Sequence, residues 1–184
     1  TVNNSILNGL EGGHPLNTVG GQSGDAPFCG DIDMRITRDG IWHYRGSPIN
    51  RPAMVKLFAS VLKRDEAGDF WLETPIEKCR IQVDDAPFTA IDILASGSGE
   101  HQSISFRTNL DENVTAGPDH PIRILHDSAT SNPSPYVLVR DGLEALISRA
   151  VYYDLVERAV EINRDRHTRL CVWSDGASFE LGIV

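Results

Sequence analysis

The 184-residue chain has few cysteines and no long apolar run. Its three cysteines, Cys29, Cys79 and Cys171, are widely spaced and form no CxxC pair. An odd number of scattered cysteines is typical of reduced, structural thiols in a cytoplasm. No apolar run approaches the roughly 20 residues of a membrane-spanning helix, and residues 1–28 have neither the basic start nor the apolar block of a secretory signal. We therefore expect a cytoplasmic location, no membrane partner and no redox centre.

Catalytic and cofactor motifs are also missing from the sequence. The six histidines form no HExxH pattern, and neither a GxSxG elbow nor a phosphate-binding Walker loop is present. We therefore expect no cofactor and no enzymatic activity. Two sets of residues leave a metal open as the weaker alternative, because carboxylates and histidines can hold a divalent cation. They are the loop residues Asp119, His120, His126 and Asp127, and the carboxylate pairs Asp31/Asp33 and Asp84/Asp85, which would suit a metal-dependent hydrolase.

The net charge of −9 is unevenly distributed. Residues 34–64 contain seven basic residues and one acid, whereas residues 84–184 are strongly acidic. The overall negative charge makes duplex DNA an unlikely partner, since its affinity comes from phosphate neutralisation. The local basic segment still permits one compact anionic ligand, although on charge alone a solvated basic face balanced by acids from the other half is the favoured explanation.

One pattern occurs twice in the chain. Residues 33–62 align with residues 135–164 without a gap, so that Arg38-Asp39-Gly40 falls on Arg140-Asp141-Gly142. The same offset places Trp71 on Trp173. Two similar units predict an internal duplication, with a seam between the units as a natural place for a ligand. Together with the charge shift, the repeat predicts an N-terminal arm over 1–27, a first unit over 28–83 and a second over 84–184.

Hydrophobic periodicity predicts an α+β protein with mainly antiparallel sheets and a helix in each unit. Alternating segments indicate strands at 33–37, 41–45, 69–73, 78–83, 88–95, 102–108, 121–126, 136–140, 143–147, 169–174 and 178–183. Apolar residues three and four apart indicate helices over about 50–64 and 150–163. Asn50 is expected to cap the first helix, with Pro52 in its first turn.

Two stretches combine residue types that suit a ligand. Trp42-His43-Tyr44-Arg45 is an aromatic and basic strand that leads to Arg51 at a helix start, where phosphate groups bind well. An aromatic ring there could stack on a base. Residues 74–78 form a corner with a hydroxyl, an acid and a base. The residues alone leave open a purely structural explanation, namely packing of the rings on the helix and a Pro-containing turn with a surface ion pair.

Cys29-Gly30, RDGIWHYRGSPINRPAMVKLFASVLKRDE (38–66) and FWLETPIEKCRIQVDDAPF (70–88) resemble, in order and spacing, a bacterial family of domains of unknown function. The resemblance implies two related α+β units, the second similar to a pleckstrin-homology fold. It also implies a nucleotide-like or nucleic-acid-based ligand at the seam and a role in signal transduction, including a stress response. Site residues implied in or near that seam are Trp42, Tyr44, Arg51, Thr74, Pro75, Glu77, Lys78 and Asp85.

The main hypothesis is therefore a non-catalytic module that binds a nucleotide-like ligand. Arg51 and Lys78 would bind phosphate, Trp42 or Tyr44 would stack on the base, and Glu77 would orient the base or Lys78. The alternative is a protein–protein adaptor whose acidic second unit binds a basic protein partner in signalling, and a metal-dependent hydrolase is the less favoured third hypothesis.

Overall fold

The computed structural model describes residues 27–126, 132–164 and 167–183. Apart from Pro27, the arm predicted over residues 1–27 lies outside the described residues. The chain divides into two compact units, residues 1–84 and 85–184. Most of the described secondary structure is β-strand, with two α-helices. No helix in the described part is long and apolar enough to cross a membrane.

The first unit is a six-stranded sheet with one helix. Its elements are β1 (Phe28–Ile36), β2 (Trp42–Tyr44), β3 (Ser47–Pro48), α1 (Pro52–Ser60), β4 (Leu62–Arg64), β5 (Phe70–Glu73) and β6 (Lys78–Val83). The strand order is β3-β2-β1-β6-β5-β4. The central pair β1 and β6 is parallel, and the other neighbours are antiparallel. The predicted strand 78–83 is confirmed, and the strand predicted at 33–37 begins earlier, at Phe28.

The core of the first unit lies on the inner face of this sheet. Along β6 the buried Cys79 and Ile81 alternate with partly exposed residues, as expected for a strand with one buried face. Helix α1 contributes Phe58, whose ring stacks on Trp42 with 6.2 Å between ring centroids. Burial of a ring of this size contributes about 2–3 kcal/mol through removal of apolar area from water.

The second unit contains a six-stranded sheet, a helix and a three-stranded sheet. Its elements are β7 (Phe88–Ser96), β8 (Ser103–Thr108), β9 (Asn113–Thr115), β10 (Ile122–His126), β11 (Pro133–Arg140), β12 (Leu143–Ile147), α2 (Arg149–Val156), β13 (Val160–Arg164), β14 (His167–Ser174) and β15 (Ala177–Ile183). The sheets are ordered β10-β11-β12-β7-β8-β9 and β13-β14-β15. The predicted strand 143–147 is confirmed, and the Asp175–Gly176 turn joins β14 to β15.

The order of elements supports an internal duplication. A hairpin, a helix and three antiparallel strands follow one another as β1-β2-α1-β4-β5-β6 and again as β11-β12-α2-β13-β14-β15, with the short β3 added in the first set. Both hairpin turns end in a glycine with positive φ, Gly40 at 81° and Gly142 at 74°. Glycine adopts this conformation without a Cβ clash, which explains why the Arg-Asp-Gly pattern occurs at both turns.

Both helices are shorter than the periodicity predicted. Helix α1 ends at Ser60, and Leu62 belongs instead to β4, where it pairs with Leu72 of β5. Helix α2 ends at Val156, and Val160 belongs instead to β13, where it pairs with Cys171 of β14. In each case, pairing with a strand distant in sequence outweighs the helical spacing of apolar residues. The expected Asn50 cap was also wrong, because the residue before the helix is Arg51 and no side chain caps α1.

The prediction of three reduced cysteines was wrong for two of them. Cys29 and Cys79 form a disulfide across the neighbouring strands β1 and β6, with 5.2 Å between their Cα atoms. That spacing is within the usual range for a disulfide. The two cysteines are 50 residues apart in sequence, and their contact forms only when β1 pairs with β6. The spacing alone therefore does not predict the disulfide. Cys171 is buried and takes no part in the disulfide, as expected for a structural thiol.

Candidate ligand-binding surface

The outer face of the first sheet presents aromatic and basic side chains at adjacent positions. Lys78 and Arg80 lie on this face because they alternate with the buried residues of β6. Trp71 on β5 lies directly across from Arg80, and Lys63 on β4 lies directly across from Trp71. Phe28 on β1 lies across from Lys78. We call these five residues, Phe28, Lys63, Trp71, Lys78 and Arg80, the Trp71 surface.

The Trp71 ring is held by contacts on several sides. The edge of the Phe28 ring meets it with 5.7 Å between centroids. Lys78 Nζ lies 4.5 Å from the Trp71 ring centroid and the Arg80 guanidinium carbon 5.7 Å from it, which are cation–π distances. The indole Nε1 donates a 2.8 Å hydrogen bond to Asp65 Oδ2. This hydrogen bond is the main cause that lowers the pKa of Asp65. Trp71 is therefore fixed in place, while Phe28 remains 63% exposed.

Carboxylates balance the cations of this surface. Arg80 Nε donates to Asp31 Oδ1 at 2.6 Å and Nη2 donates to Asp31 Oδ2 at 3.0 Å. The hydrogen bonds from Arg80 lower the pKa of Asp31, and the same pairing raises the pKa of Arg80. Lys78 Nζ lies 3.6 Å from Glu73 Oε2. All four side chains keep substantial contact with solvent, so solvent screens both pairs and each adds little to stability.

A cleft of about 410 Å³ adjoins the Trp71 surface and shares Arg80 with it. It lies beside the point where the β1–β6 pairing is interrupted, between Asp31 and Arg35. Its lining includes Asp31, Asp69, Phe70 and Gln82. Two carboxylates against one guanidinium disfavour a phosphate inside the cleft and suit hydroxyl or amino donors.

The predicted residues Trp42, Tyr44 and Arg51 lie away from this surface. Trp42 is 2% exposed and stacks on Phe58 in the core. Tyr44 is half-buried, with the Arg45 guanidinium carbon 5.3 Å from its ring centroid. Arg51 is exposed just before α1, where its carbonyl oxygen accepts hydrogen bonds from the first turn. A ligand role for these three residues stays a prediction, and Trp42 has almost no surface to offer one.

The predicted residues Thr74, Pro75, Glu77 and Lys78 form one turn between β5 and β6. The Thr74 amide donates to the Glu77 carbonyl oxygen at 2.8 Å, and the Glu77 amide donates to Thr74 Oγ1 at 3.2 Å. These reciprocal bonds fix the corner and direct Glu77 inward, where it is only 7% exposed. The turn thus places Lys78 on the Trp71 surface and Glu77 beside the disulfide.

The predicted residue Asp85 belongs to the second unit, where its Oδ1 accepts a 2.7 Å hydrogen bond from the Tyr136 hydroxyl. The structure therefore brings four of the eight predicted residues together in one turn. The expectation that all eight contribute to a ligand site at the seam stays a prediction.

Two of the four carboxylates considered for a hydrolase, Asp31 and Asp84, are paired with arginines. Asp31 binds Arg80, and Asp84 accepts two hydrogen bonds from Arg35 at 2.7 and 2.8 Å. These bonds lower the pKa of Asp84. In the loop considered for a metal, His120 Nδ1 lies 3.0 Å from the Leu138 carbonyl oxygen, and Asp127 lies outside the described residues. The described residues do contain one group of close metal-ligating atoms, but it is Cys29, Glu77 and Cys79.

Sequence reasoning did not assign Phe28, Lys63, Trp71 or Arg80 to a site. The alternation of Lys78, Cys79 and Arg80 already indicates one basic face. What is missing from the sequence is the register that places Trp71 opposite Arg80, together with the parallel pairing that brings Phe28 to the same face.

The fold defines a mostly β protein built from two similar units. Comparison with known proteins divides the chain at nearly the same position. Residues 22–86 match the family model "Domain of unknown function (DUF1285), N-terminal domain". Residues 87–181 match the model "Protein of unknown function (DUF1285), C-terminal domain". The chain belongs to the DUF1285 family, which confirms the resemblance to a bacterial family of unknown function.

Two solved structures are similar to the chain. A DUF1285 family protein from Silicibacter pomeroyi is 50% identical with a TM-score of 0.80, over 87% of this chain and 85% of that one. A DUF1285 family protein from Shewanella baltica is 27% identical with a TM-score of 0.53, over 69% of this chain and 92% of that one. No curated protein matches the chain significantly.

Proposed function

We propose that the protein is a binding module for a nucleotide-like ligand and that the Trp71 surface receives it. The observation that carries the proposal is the row of Lys63, Trp71 and Arg80 on three successive strands in direct register. Proteins bind single-stranded nucleic acids with aromatic rings flanked by cations. The base stacks on the ring and the phosphate lies beside a cation. A nucleotide offers the same two groups.

The aromatic part of the surface is rigid and partly open. Phe28 exposes most of its ring, and Trp71 is oriented by Asp65 and by the two neighbouring cations. A preoriented ring loses little conformational freedom on binding. Stacking of one base on such a ring contributes about 1–3 kcal/mol.

The ion pairs of the surface permit a phosphate to bind. The Arg80–Asp31 and Lys78–Glu73 pairs are exposed, so breaking either one costs little free energy. A phosphate carries up to two negative charges and offers several acceptor oxygens to a guanidinium. The cleft shared with Arg80 would take the sugar, because Asp31 and Asp69 can accept hydrogen bonds from hydroxyl groups.

Signal transduction, including a stress response, is the role that we attach to such a module. The pleckstrin-homology-like character of the second unit and a cytoplasmic location are part of the same proposal. A protein-binding adaptor is the second candidate, since Phe28 and Ile76 expose apolar side chains near Lys78 and a protein could cover them.

A thermal-shift screen tests the proposal. The probes are adenosine and guanosine mono- and triphosphates, cyclic dinucleotides, short oligothymidine and inorganic triphosphate. At 100 times its dissociation constant a specific ligand adds about 2.7 kcal/mol, which corresponds to a rise of roughly 5–10 °C for a chain of this size. We expect such a rise for a nucleotide class and a smaller one for inorganic triphosphate, which cannot stack.

The variant Trp71→Leu is expected to reduce the shift by at least about a third, because it removes the stacking contribution while keeping an apolar side chain at that position. Arg80→Ala should also reduce the shift, and Arg107→Ala is its matched control, because Arg107 is a similarly exposed arginine that pairs with Asp92 in the second unit. A screen without any shift, or a shift that Trp71→Leu leaves intact, would overturn the proposal and favour the adaptor.

A further inference from the structure

Three metal-ligating side chains meet at the N-terminal ends of β1 and β6. The Sγ atoms of Cys29 and Cys79 and a carboxylate oxygen of Glu77 all lie within 4.8 Å of one another. Cys79 is fully buried, Glu77 is 7% exposed and Cys29 is half-buried. The cluster is therefore shielded by the protein on one side and reachable from solvent at Cys29.

The fold positions each ligand by a separate device. Phe28 pairs with Lys78 and Gly30 pairs with Cys79, so Cys29 is the extra residue of a β-bulge. A bulge redirects a side chain, and Gly30 permits it with a φ of 98°. The Thr74–Glu77 hydrogen bonds fix the corner that directs Glu77 toward the sulfurs. The structure contains the oxidised form, in which the two sulfurs are bonded to each other.

We propose that Cys29, Cys79 and Glu77 form a Zn²⁺ site when the cysteines are reduced, and that disulfide formation closes it. Two thiolates and one carboxylate are ligands that zinc binds well, and three protein ligands leave a fourth position for water. Zinc-bound sulfurs are roughly 3.8 Å apart for tetrahedral bonds of about 2.3 Å. Rotation of the Cys29 side chain at its bulge provides that separation without moving the strands.

Closure of the site is a thiol–disulfide exchange with a low-molecular-weight disulfide as the oxidant. The Cys29 thiolate attacks one sulfur of the oxidant, which forms a mixed disulfide and releases one thiolate. The Cys79 thiolate then attacks Cys29 Sγ and releases the second thiolate. The two cysteines lose two electrons and the oxidant gains them. Zn²⁺ leaves because the thiolates that held it are consumed.

The test is titration of the full chain with Co²⁺ and then Zn²⁺, with and without a metal-free phosphine reductant. Co²⁺ bound by thiolates absorbs in the near ultraviolet through sulfur-to-metal charge transfer. We expect one Co²⁺ per chain in the reduced protein, its displacement by Zn²⁺, and no charge-transfer band in the oxidised protein. Cys171→Ser is the control and should bind as the wild type does, because Cys171 is buried in the other unit.

Glu77→Gln keeps both cysteines and the shape of the corner. It should weaken Co²⁺ binding at least about tenfold, because even the loss of a residue that only hydrogen-bonds to a metal ligand has an effect of that size. Three results would overturn the proposal: no band in reduced protein that circular dichroism shows to be folded, a band that survives Cys29→Ser, or wild-type affinity in Glu77→Gln. If reduction unfolds the chain, refolding by Zn²⁺ supports the site and failure to refold contradicts it.

Discussion

Reduction of the Cys29–Cys79 disulfide is expected to lower the unfolding free energy of the first unit by about 4 kcal/mol. The bond closes a loop of 50 residues. The chain-entropy relation gives roughly 14 cal/mol/K for a loop of that length, which is about 4 kcal/mol at 25 °C. A domain has only about 5–15 kcal/mol of stability in total. Reduction should therefore remove a large share of the stability of the first unit.

Urea unfolding in the Trp173→Phe background measures this effect in the first unit. The remaining tryptophans, Trp42 and Trp71, both belong to that unit, and Trp42 stacks on Phe58 in its core. The free energy of unfolding is compared with and without reductant in the absence of metal. Cys171→Ser serves as the control for effects of reductant on the third cysteine. Equal free energies of unfolding in the two conditions would show that the disulfide does not stabilise the first unit.

Three further predictions concern the fold. Phe58→Ala should cost about 3–5 kcal/mol, because Phe58 is buried against Trp42, and a urea midpoint that barely moves would contradict this. Ser148→Ala should lower the free energy of unfolding by about 1 kcal/mol, because Ser148 Oγ caps α2 by accepting a hydrogen bond from the Val151 amide. The helical circular dichroism signal of the variant should then be lost at a lower urea concentration than in the wild type. Arg35 lowers the pKa of Asp84, so the pair stabilises the protein above the unfolded-state pKa and this contribution is lost as the pH falls through the lowered folded-state pKa. The free energy of unfolding of Asp84→Asn should therefore fall less than that of the wild type between pH 5 and 2. Equal falls in the two proteins would contradict the prediction.

The strands were the most predictable part of the fold, for a physical reason. A strand with one buried face must alternate, and β12 does so along its whole length while β6 does so as far as Ile81. Helix ends were less predictable, because Leu62 satisfies the helical spacing of α1 as well as it satisfies pairing with Leu72. Local sequence contains both options, and only the tertiary pairing decides between them.

The candidate surface was partly predictable for a different reason. The Thr74–Lys78 corner was recognisable because a proline, a hydroxyl, an acid and a base lie within five residues between two strands. The contacts of Trp71 with Arg80 and of Cys29 with Cys79 depend on strand register and on a parallel pair, neither of which local sequence specifies. Trp42 satisfied the chemistry of a stacking residue, but its position on the inner face places it in the core.

The most direct test of the proposed function is a nucleotide titration of the wild type and of the double variant Lys78→Ala/Arg80→Ala, with intrinsic tryptophan fluorescence as the readout. The probe is the nucleotide that gives the largest shift in the thermal screen, and Arg107→Ala is the control. We expect saturable quenching of fluorescence in the wild type and the control, and an affinity at least about tenfold lower in the double variant. Equal affinity in all three proteins would contradict it, since the cations of the Trp71 surface would then play no part in binding.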